Sequence, residues 1–244
     1  MTDTASPDLI RYPRRRLIRG LLRGGIIAAL SVLVDLKLEG RENIPASGPY
    51  VVVGNHFSFL DPVAVIRIFP QPLEFLGGFR TPNAPAWTEV FRTGWGVLKV
   101  RRGSSSRDSL LAAQAVLEQK GVLVVFPEGG SWATVLRPAR PGAALLALRA
   151  RAPILPVGLD GLLDVFSLKR PRATVRIGKV FHPQEVVDSR LPMREQLTQL
   201  GHVMMQRIAE LIPPERRGHY SDDPAVREAA RGTEIYPWEN NPEY

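Results

Sequence analysis

The 244-residue chain contains no cysteine, which excludes disulfides, thiolate catalysis and cysteine-based zinc sites. Its four histidines, His56, His182, His202 and His219, are scattered and form no His-Glu-x-x-His pair, so the sequence makes no case for a metal. Aromatic residues are only 7% of the chain, and the basic residues stand among aliphatic ones. That pattern argues against a nucleic-acid partner, which would call for stacking aromatics or a named binding motif. No Gly-x-Ser-x-Gly elbow surrounds any serine, so neither Ser58 nor Ser131 reads as a nucleophile. There is no internal repeat.

What is present is an ordinary globular composition, 44% hydrophobic, with a large positive balance: a formal net charge of +8 and a pI near 10.3. Such a balance calls for an anionic partner, and its distribution favours an anionic membrane surface. Arg11, Arg14, Arg15, Arg16, Arg19 and Arg23 cluster at the N-terminus. On a helical wheel Arg16, Arg19 and Arg23 share one side, opposite Leu17, Ile18, Leu21 and Leu22. The uncharged run that follows, Gly24 to Val34, has 11 residues, whereas a spanning helix needs about 20. The expectation is therefore an interfacial or half-inserted helix, with each basic residue near anionic lipid adding about 1 kcal/mol to docking. A core-packing helix with a solvated Arg face is the competing reading, and a secretory signal lacks its small-residue cleavage site.

Four blocks carry chemistry. The first is Asn55-His56-Phe57-Ser58-Phe59-Leu60-Asp61, after the β-branched run Tyr50 to Val53 and before Pro62, a residue suited to opening a helix. A neutral imidazole takes a proton near pH 7, and a nearby carboxylate fixes its tautomer and stabilises the imidazolium. Asp61 is also a good helix N-cap, and His56 would equally well bond a backbone carbonyl in the turn. Ser58 reads as a hydrogen-bonding loop residue. The second block, Gly96 to Gly103, is a short strand ending in Arg101 and Arg102, guanidinium groups suited to phosphate or carboxylate. The third, Val122 to Gly130, is an apolar strand ending in Phe126-Pro127-Glu128-Gly129-Gly130. The fourth, Ala152 to Gly158, is a strand with Pro153 and Pro156 near its ends. Ligands of α/β sheets commonly bind beside the carboxyl ends of strands, where these blocks fall.

In this order the blocks resemble the glycerolipid acyltransferase family, which includes bacterial lysophosphatidate (1-acylglycerol-3-phosphate) acyltransferases. Asn55, His56, Ser58 and Asp61 match its Asn-His-x-Ser-x-x-Asp motif; Gly96 and Arg102 match the second motif. Phe126, Pro127, Glu128 and Gly129 match Phe-Pro-Glu-Gly-Thr-Arg, and Pro153, Ile154, Pro156 and Val157 match the fourth. The resemblance spans about residues 38 to 180. It implies that His56 is the general base, assisted by Asp61, and that a lipid hydroxyl attacks the thioester of acyl-CoA or an acyl carrier protein directly. Arg102, with Arg101 beside it, would hold an anionic part of the acceptor. Glu128 would bond acceptor hydroxyls or brace the basic residues, while Pro127, Gly129 and Pro156 shape the backbone. The expected product is phosphatidate, in phospholipid biosynthesis, with no cofactor beyond the acyl donor. One departure stands out. Gly130-Ser131 replaces the family's Thr-Arg, so a cation often assigned to the acceptor's phosphate is missing, and Arg101, Arg137 and Arg140 are the candidates to replace it. A different lysolipid or amphipathic alcohol, a transacylase reaction, or a non-catalytic lipid-binding protein on the membrane surface are the alternatives.

The expected fold is a single α/β domain with a mixed, mostly parallel sheet flanked by helices and an N-terminal membrane-interacting helix. Strands are predicted near 34–38, 50–53, 73–76 and 172–180, besides those of the motifs; helices are predicted near 62–69, 106–119, 141–150 and 193–212. The stretch 80–95 reads as a short helix and loops able to line an acyl pocket. Residues 1–36 form the membrane-associating segment, 37–212 the acyltransferase domain, and 213–244 a loosely packed C-terminal extension. The expected location is the cytoplasmic face of a membrane, peripheral or monotopic.

Overall fold

The computed structural model describes residues 10–78, 84–86, 88–100, 107–167, 169–235 and 237. Its strands are β1 (Asp35–Glu39), β2 (Tyr50–Gly54), β3 (Leu73–Gly78), β4 (Leu98–Val100), β5 (Val122–Val125), β6 (Ile154–Asp160) and β7 (Arg172–Ile177). Its α-helices are α1 (Arg16–Leu33), α2 (Asp61–Ile68), α3 (Thr88–Trp95), α4 (Arg107–Glu118), α5 (Pro141–Ala150), α6 (Pro183–Val186), α7 (Met193–Ala209) and α8 (Pro224–Ala230). The expected elements are there with shifted ends. The fourth-motif strand opens at Ile154, after Pro153, and runs on to Asp160.

The strands form one sheet in the order β1-β7-β6-β2-β5-β3-β4, parallel except where β6 meets β7. Central strands are apolar on both faces because both faces are covered. Tyr50 and Val52 of β2 share one cluster with Val122, Val124, Leu155 and the inner residues of α1 and α2. Val51 and Val53 point the other way, into a cluster with Leu123, Ile154 and residues of α4, α5 and α7. The period-two side-chain alternation of a strand thus becomes a three-layer sandwich. The two blocks that follow β2 and β5 are distant in sequence. They become neighbours because the strands pair in parallel, Val53 opposite Val125, and leave the sheet at the same edge.

The N-terminal helix is oriented against expectation. Arg19 is buried, donating from Nη1 and Nη2 to Glu74 Oε1 and Oε2 at 2.6 and 2.8 Å and from Nε to Trp95 O at 2.8 Å. Arg14 adds a second guanidinium to Glu74 Oε2 at 2.6 Å and bonds Gly96 O. Glu74 is fully buried in β3; burial raises its pKa, but the two arginines outweigh this and hold it low. Leu17 and Leu21, by contrast, are 85% and 80% exposed. Arg14 and Arg19 therefore anchor the N-terminal segment to the domain, while Arg16 is exposed and Arg23 half-buried. Among the described residues no helix is long and apolar enough to cross a membrane.

Of the C-terminal extension, the described residues from Arg216 to Thr233 make contacts with the loop after β5. Arg216 O accepts from Leu136 N and Leu136 O accepts from His219 N, at 2.9 and 3.2 Å. Gly218, at φ 49°, lies so close to Leu136 that an added Cβ would sit 2.4 Å from the Leu136 carbonyl oxygen. The segment after α7 thereby straps the loop between β5 and α5.

Glu74→Ala leaves two guanidinium groups facing an apolar interior without a counter-ion. It should cost about 3–5 kcal/mol in denaturant unfolding, whereas Glu39→Ala, at the solvent-exposed pair with Arg176, should leave the midpoint nearly unchanged.

Candidate active site

Beyond Gly54 the chain must leave the sheet without abandoning the hydrogen bonds of its partner strand. Asn55 solves this with its side chain: Nδ2 donates to Leu159 O and Oδ1 accepts from Leu159 N, both at 2.8 Å. The amide continues the β2–β6 ladder while the backbone turns away, and His56 is delivered to the sheet's carboxyl edge. Ser58 holds the turn, accepting from Leu60 N and donating to Leu162 O, each at 3.2 Å. Asp61 opens α2, accepts Ser58 N–H on Oδ2 at 2.7 Å and lies 3.0 Å from His56 Nδ1. Burial raises the Asp61 pKa, while the imidazole and the Ser58 and Phe57 amides pull it back. An ionised Asp61 only accepts, so Nδ1 carries the proton and Nε2 is the basic nitrogen. Phe126 stacks on the imidazole with ring centroids 4.4 Å apart.

Glu128 lies behind this pair, 1% exposed. Its Oε1 accepts the His56 backbone N–H at 2.7 Å, and its Oε2 accepts Arg137 Nε–H and N–H at 3.0 and 3.2 Å. Arg137 also donates to Gly130 O and lies flat on Trp132, its guanidinium carbon 3.8 Å from the ring centroid. Its Nη1 is buried without a hydrogen-bond partner. Burial pushes the Glu128 carboxyl up to about 7, against the opposing pull of Arg137, and the same desolvation lowers the Arg137 pKa. Trp132 is held in turn by the C-terminal strap, its indole N–H donating to Thr233 O at 2.8 Å. A line of contacts thus runs from Thr233 through Trp132, Arg137 and Glu128 to the backbone of the base.

His56 opens onto a cavity of about 910 Å³. Near it the lining is Phe126, Pro127, Gly129, Gly130, Ser131 and Arg140. Farther away it is apolar, built from Leu22, Ile26, Leu30 and Leu33 of α1 with Phe59 and Phe91. A cavity lined by an imidazole and by the guanidinium-bearing Arg92 and Arg140, but mostly by aliphatic and aromatic side chains, suits an amphiphile. Of the residues singled out from sequence, His56, Asp61, Asn55, Ser58, Phe126, Pro127, Glu128 and Gly129 come together. Arg101 and Arg102 lie outside the described residues. Gly96 (φ 77°) accepts Arg14 from the N-terminal segment, and Pro156 is buried in β6; both do backbone work away from the base. Glu128 is not in the cavity lining; its oxygens accept from His56 N–H and from Arg137. Sequence reasoning missed the Arg137–Trp132 support. The signal was Arg137, nine residues after Glu128 and flanked by Leu136 and Pro138.

The acyltransferase family model matches residues 35–160, just over half of the chain. The chain belongs to the acyltransferase family. It is 25% identical over 197 residues to the 1-acyl-sn-glycerol-3-phosphate acyltransferase of Bacillus subtilis, covering 75% of this chain and 93% of that one. It is 31% identical over 157 residues to the human alpha enzyme of that name, covering 58% of this chain and 51% of the relative. The chain thus spans about half the length of such animal relatives. Among solved structures it is similar to PlsC, the 1-acyl-sn-glycerophosphate acyltransferase of Thermotoga maritima, at TM-score 0.55 and 20% identity, covering 77% and 78% of the two chains. That likeness supports the mixed, mostly parallel sheet expected from the family.

In this acyltransferase the raised Glu128 pKa has a signed consequence. Between about 4.5 and about 7 the folded protein holds a proton here that the unfolded chain releases, so this group's contribution to stability falls as pH rises. The stability difference between wild type and Glu128→Gln, followed by urea unfolding, should shrink from pH 5 to 7 and level off above. A difference that grows with pH would mean that Arg137 overcomes burial.

Proposed function

We propose that this acyltransferase moves a fatty acyl group from acyl-CoA or an acyl carrier protein to the free hydroxyl of 1-acylglycerol 3-phosphate, giving phosphatidate for phospholipid biosynthesis. The observation that carries the reading is the His56–Asp61 pair with His56 in the lining of a largely apolar cavity. The names of the relatives supply the acceptor. His56 Nε2 takes the hydroxyl proton as the acceptor oxygen attacks the thioester carbonyl carbon. The C–O bond forms, the C–S bond breaks, and the imidazolium returns the proton to the departing thiolate. Asp61 holds Nδ1–H throughout and stabilises the imidazolium charge. No protein nucleophile is needed because the acceptor hydroxyl attacks directly. The acyl chains occupy the aliphatic part of the cavity, against α1.

The same helix supports a peripheral or monotopic position on the cytoplasmic leaflet. With Arg19 turned inward, the outward stripe of α1 is Leu17, Leu21 and Val32, the last 73% exposed. Leu21 is at the cavity mouth, so lipid would enter beside the helix that docks. Docking then rests on apolar insertion more than on the arginine cluster.

Thiol release from palmitoyl-CoA with 1-acylglycerol 3-phosphate tests the reaction. His56→Ala should lower the rate by about 10²–10⁴-fold with an unchanged melting temperature. Release only with a neutral lysolipid would replace the acceptor, and no release with any acceptor or acyl-carrier donor would favour a lipid-binding protein. Replacing Leu17 and Leu21 by Glu should abolish cosedimentation with phosphatidylglycerol–phosphatidylethanolamine vesicles; unchanged cosedimentation would remove α1 as the docking face.

A further inference from the structure

The third motif of this chain ends in Gly130-Ser131, without the arginine that its family relatives carry at the second of these positions. We propose that Arg140, nine residues farther on, holds the acceptor's phosphate in place of that arginine. This rests on the reading of the acceptor given above.

Three observations single out Arg140. Its backbone N–H donates to Pro127 O at 2.8 Å, which ties it to the motif turn although it comes from the start of α5. Its side chain then crosses that turn: a Cβ built on Gly129 would stand 2.8 Å from Arg140 Cδ and 3.1 Å from Nε. Gly129, at φ 81°, therefore does more than permit the turn; the missing side chain is the path that Arg140 takes. Finally, Arg140 lines the same cavity as His56 and Ser131, where the absent motif arginine would have stood.

Among the described residues, the other arginines near the cavity have different work. Arg137 is 1% exposed, is committed to Glu128, Gly130 O and the Trp132 face, and does not line the cavity. Arg92 does line it, but from α3, where it bonds Glu89 at 2.8 Å and Gly78 O. Arg137 thus braces Glu128 behind the cavity, while Arg140 reaches the cavity itself. A guanidinium whose stem is laid across a rigid turn loses little freedom when it binds phosphate through two parallel N–H···O bonds.

Phosphate chemistry has two sources at this site, the acceptor and the CoA donor, so the test varies them separately. With palmitoyl-CoA saturating, the ratio of kcat/KM for 1-acylglycerol 3-phosphate to that for 1-acylglycerol should fall about 10-fold to 100-fold in Arg140→Ser. Most of that fall should appear in the KM of the phosphate-bearing acceptor. Adding Ser131→Arg to that variant should recover most of the ratio, which a role confined to folding would not allow. An unchanged ratio in a variant that melts like wild type overturns the proposal, as does an increase confined to the KM of palmitoyl-CoA. A wild-type enzyme that does not prefer the phosphate-bearing acceptor overturns the acceptor assignment and this proposal with it; a preference that survives Arg140→Ser overturns only the latter.

Discussion

The site depends on one buried carboxyl group behind the His56–Asp61 pair. Glu128 is buried between the loops that leave two neighbouring parallel strands, and its two oxygens serve one loop each: Oε1 the backbone of His56, Oε2 the side chain and backbone of Arg137. The cost of burying this carboxyl is offset by three N–H donors on its two oxygens, and these bonds fix the loops relative to each other. His56 is thereby held at its backbone by Glu128, at Nδ1 by Asp61 and across its ring by Phe126. What remains is Nε2, directed at the cavity by elimination of every other option.

A second buried carboxylate does for the N-terminal helix what Glu128 does for the base. Glu74 lies in β3 and draws Arg14 and Arg19 inward, which sets α1 so that Leu17 and Leu21 face out while Leu22, Ile26 and Leu30 wall the cavity. One ion-pair cluster therefore sets both the wall of the pocket and which aliphatic side chains of α1 are exposed. Such clusters are costly to assemble and costly to break, and they specify an orientation that hydrophobic packing alone leaves open. Amphipathicity would have allowed the helix to dock by either face.

Much of the candidate site was legible because its determinants are local. His56 and Asp61 are five residues apart on one turn, and their neighbours Asn55 and Ser58 have short-range duties that residue type suggests. The order of the blocks implied the strands, and parallel pairing of β2 with β5 then brought His56 to Glu128. Long-range partnership was not legible. A helical wheel separates Arg19 from Leu21 but does not say which side is covered; the cue was Glu74, a lone acid inside the apolar run Leu73 to Leu76, whose need for a counter-ion has no period to reveal it. The strap formed by Arg216, Gly218 and Thr233 was hidden for a related reason. Its contacts are mostly made by backbone groups, so a polar, proline-containing tail gives no sign of them. Arg101 and Arg102 remain motif assignments, outside the described residues.

The claim that unites these features is that the protein presents a neutral His56 with its proton on Nδ1 and Nε2 basic. The ¹⁵N spectrum of histidine-labelled protein, with the His56 signals assigned by their loss in His56→Ala, reads this directly near neutral pH. The account predicts a protonated Nδ1, hydrogen-bonded to Asp61, and an unprotonated Nε2. A ring with its proton on Nε2 would contradict it, because the nitrogen facing the cavity could not then accept the acceptor's proton.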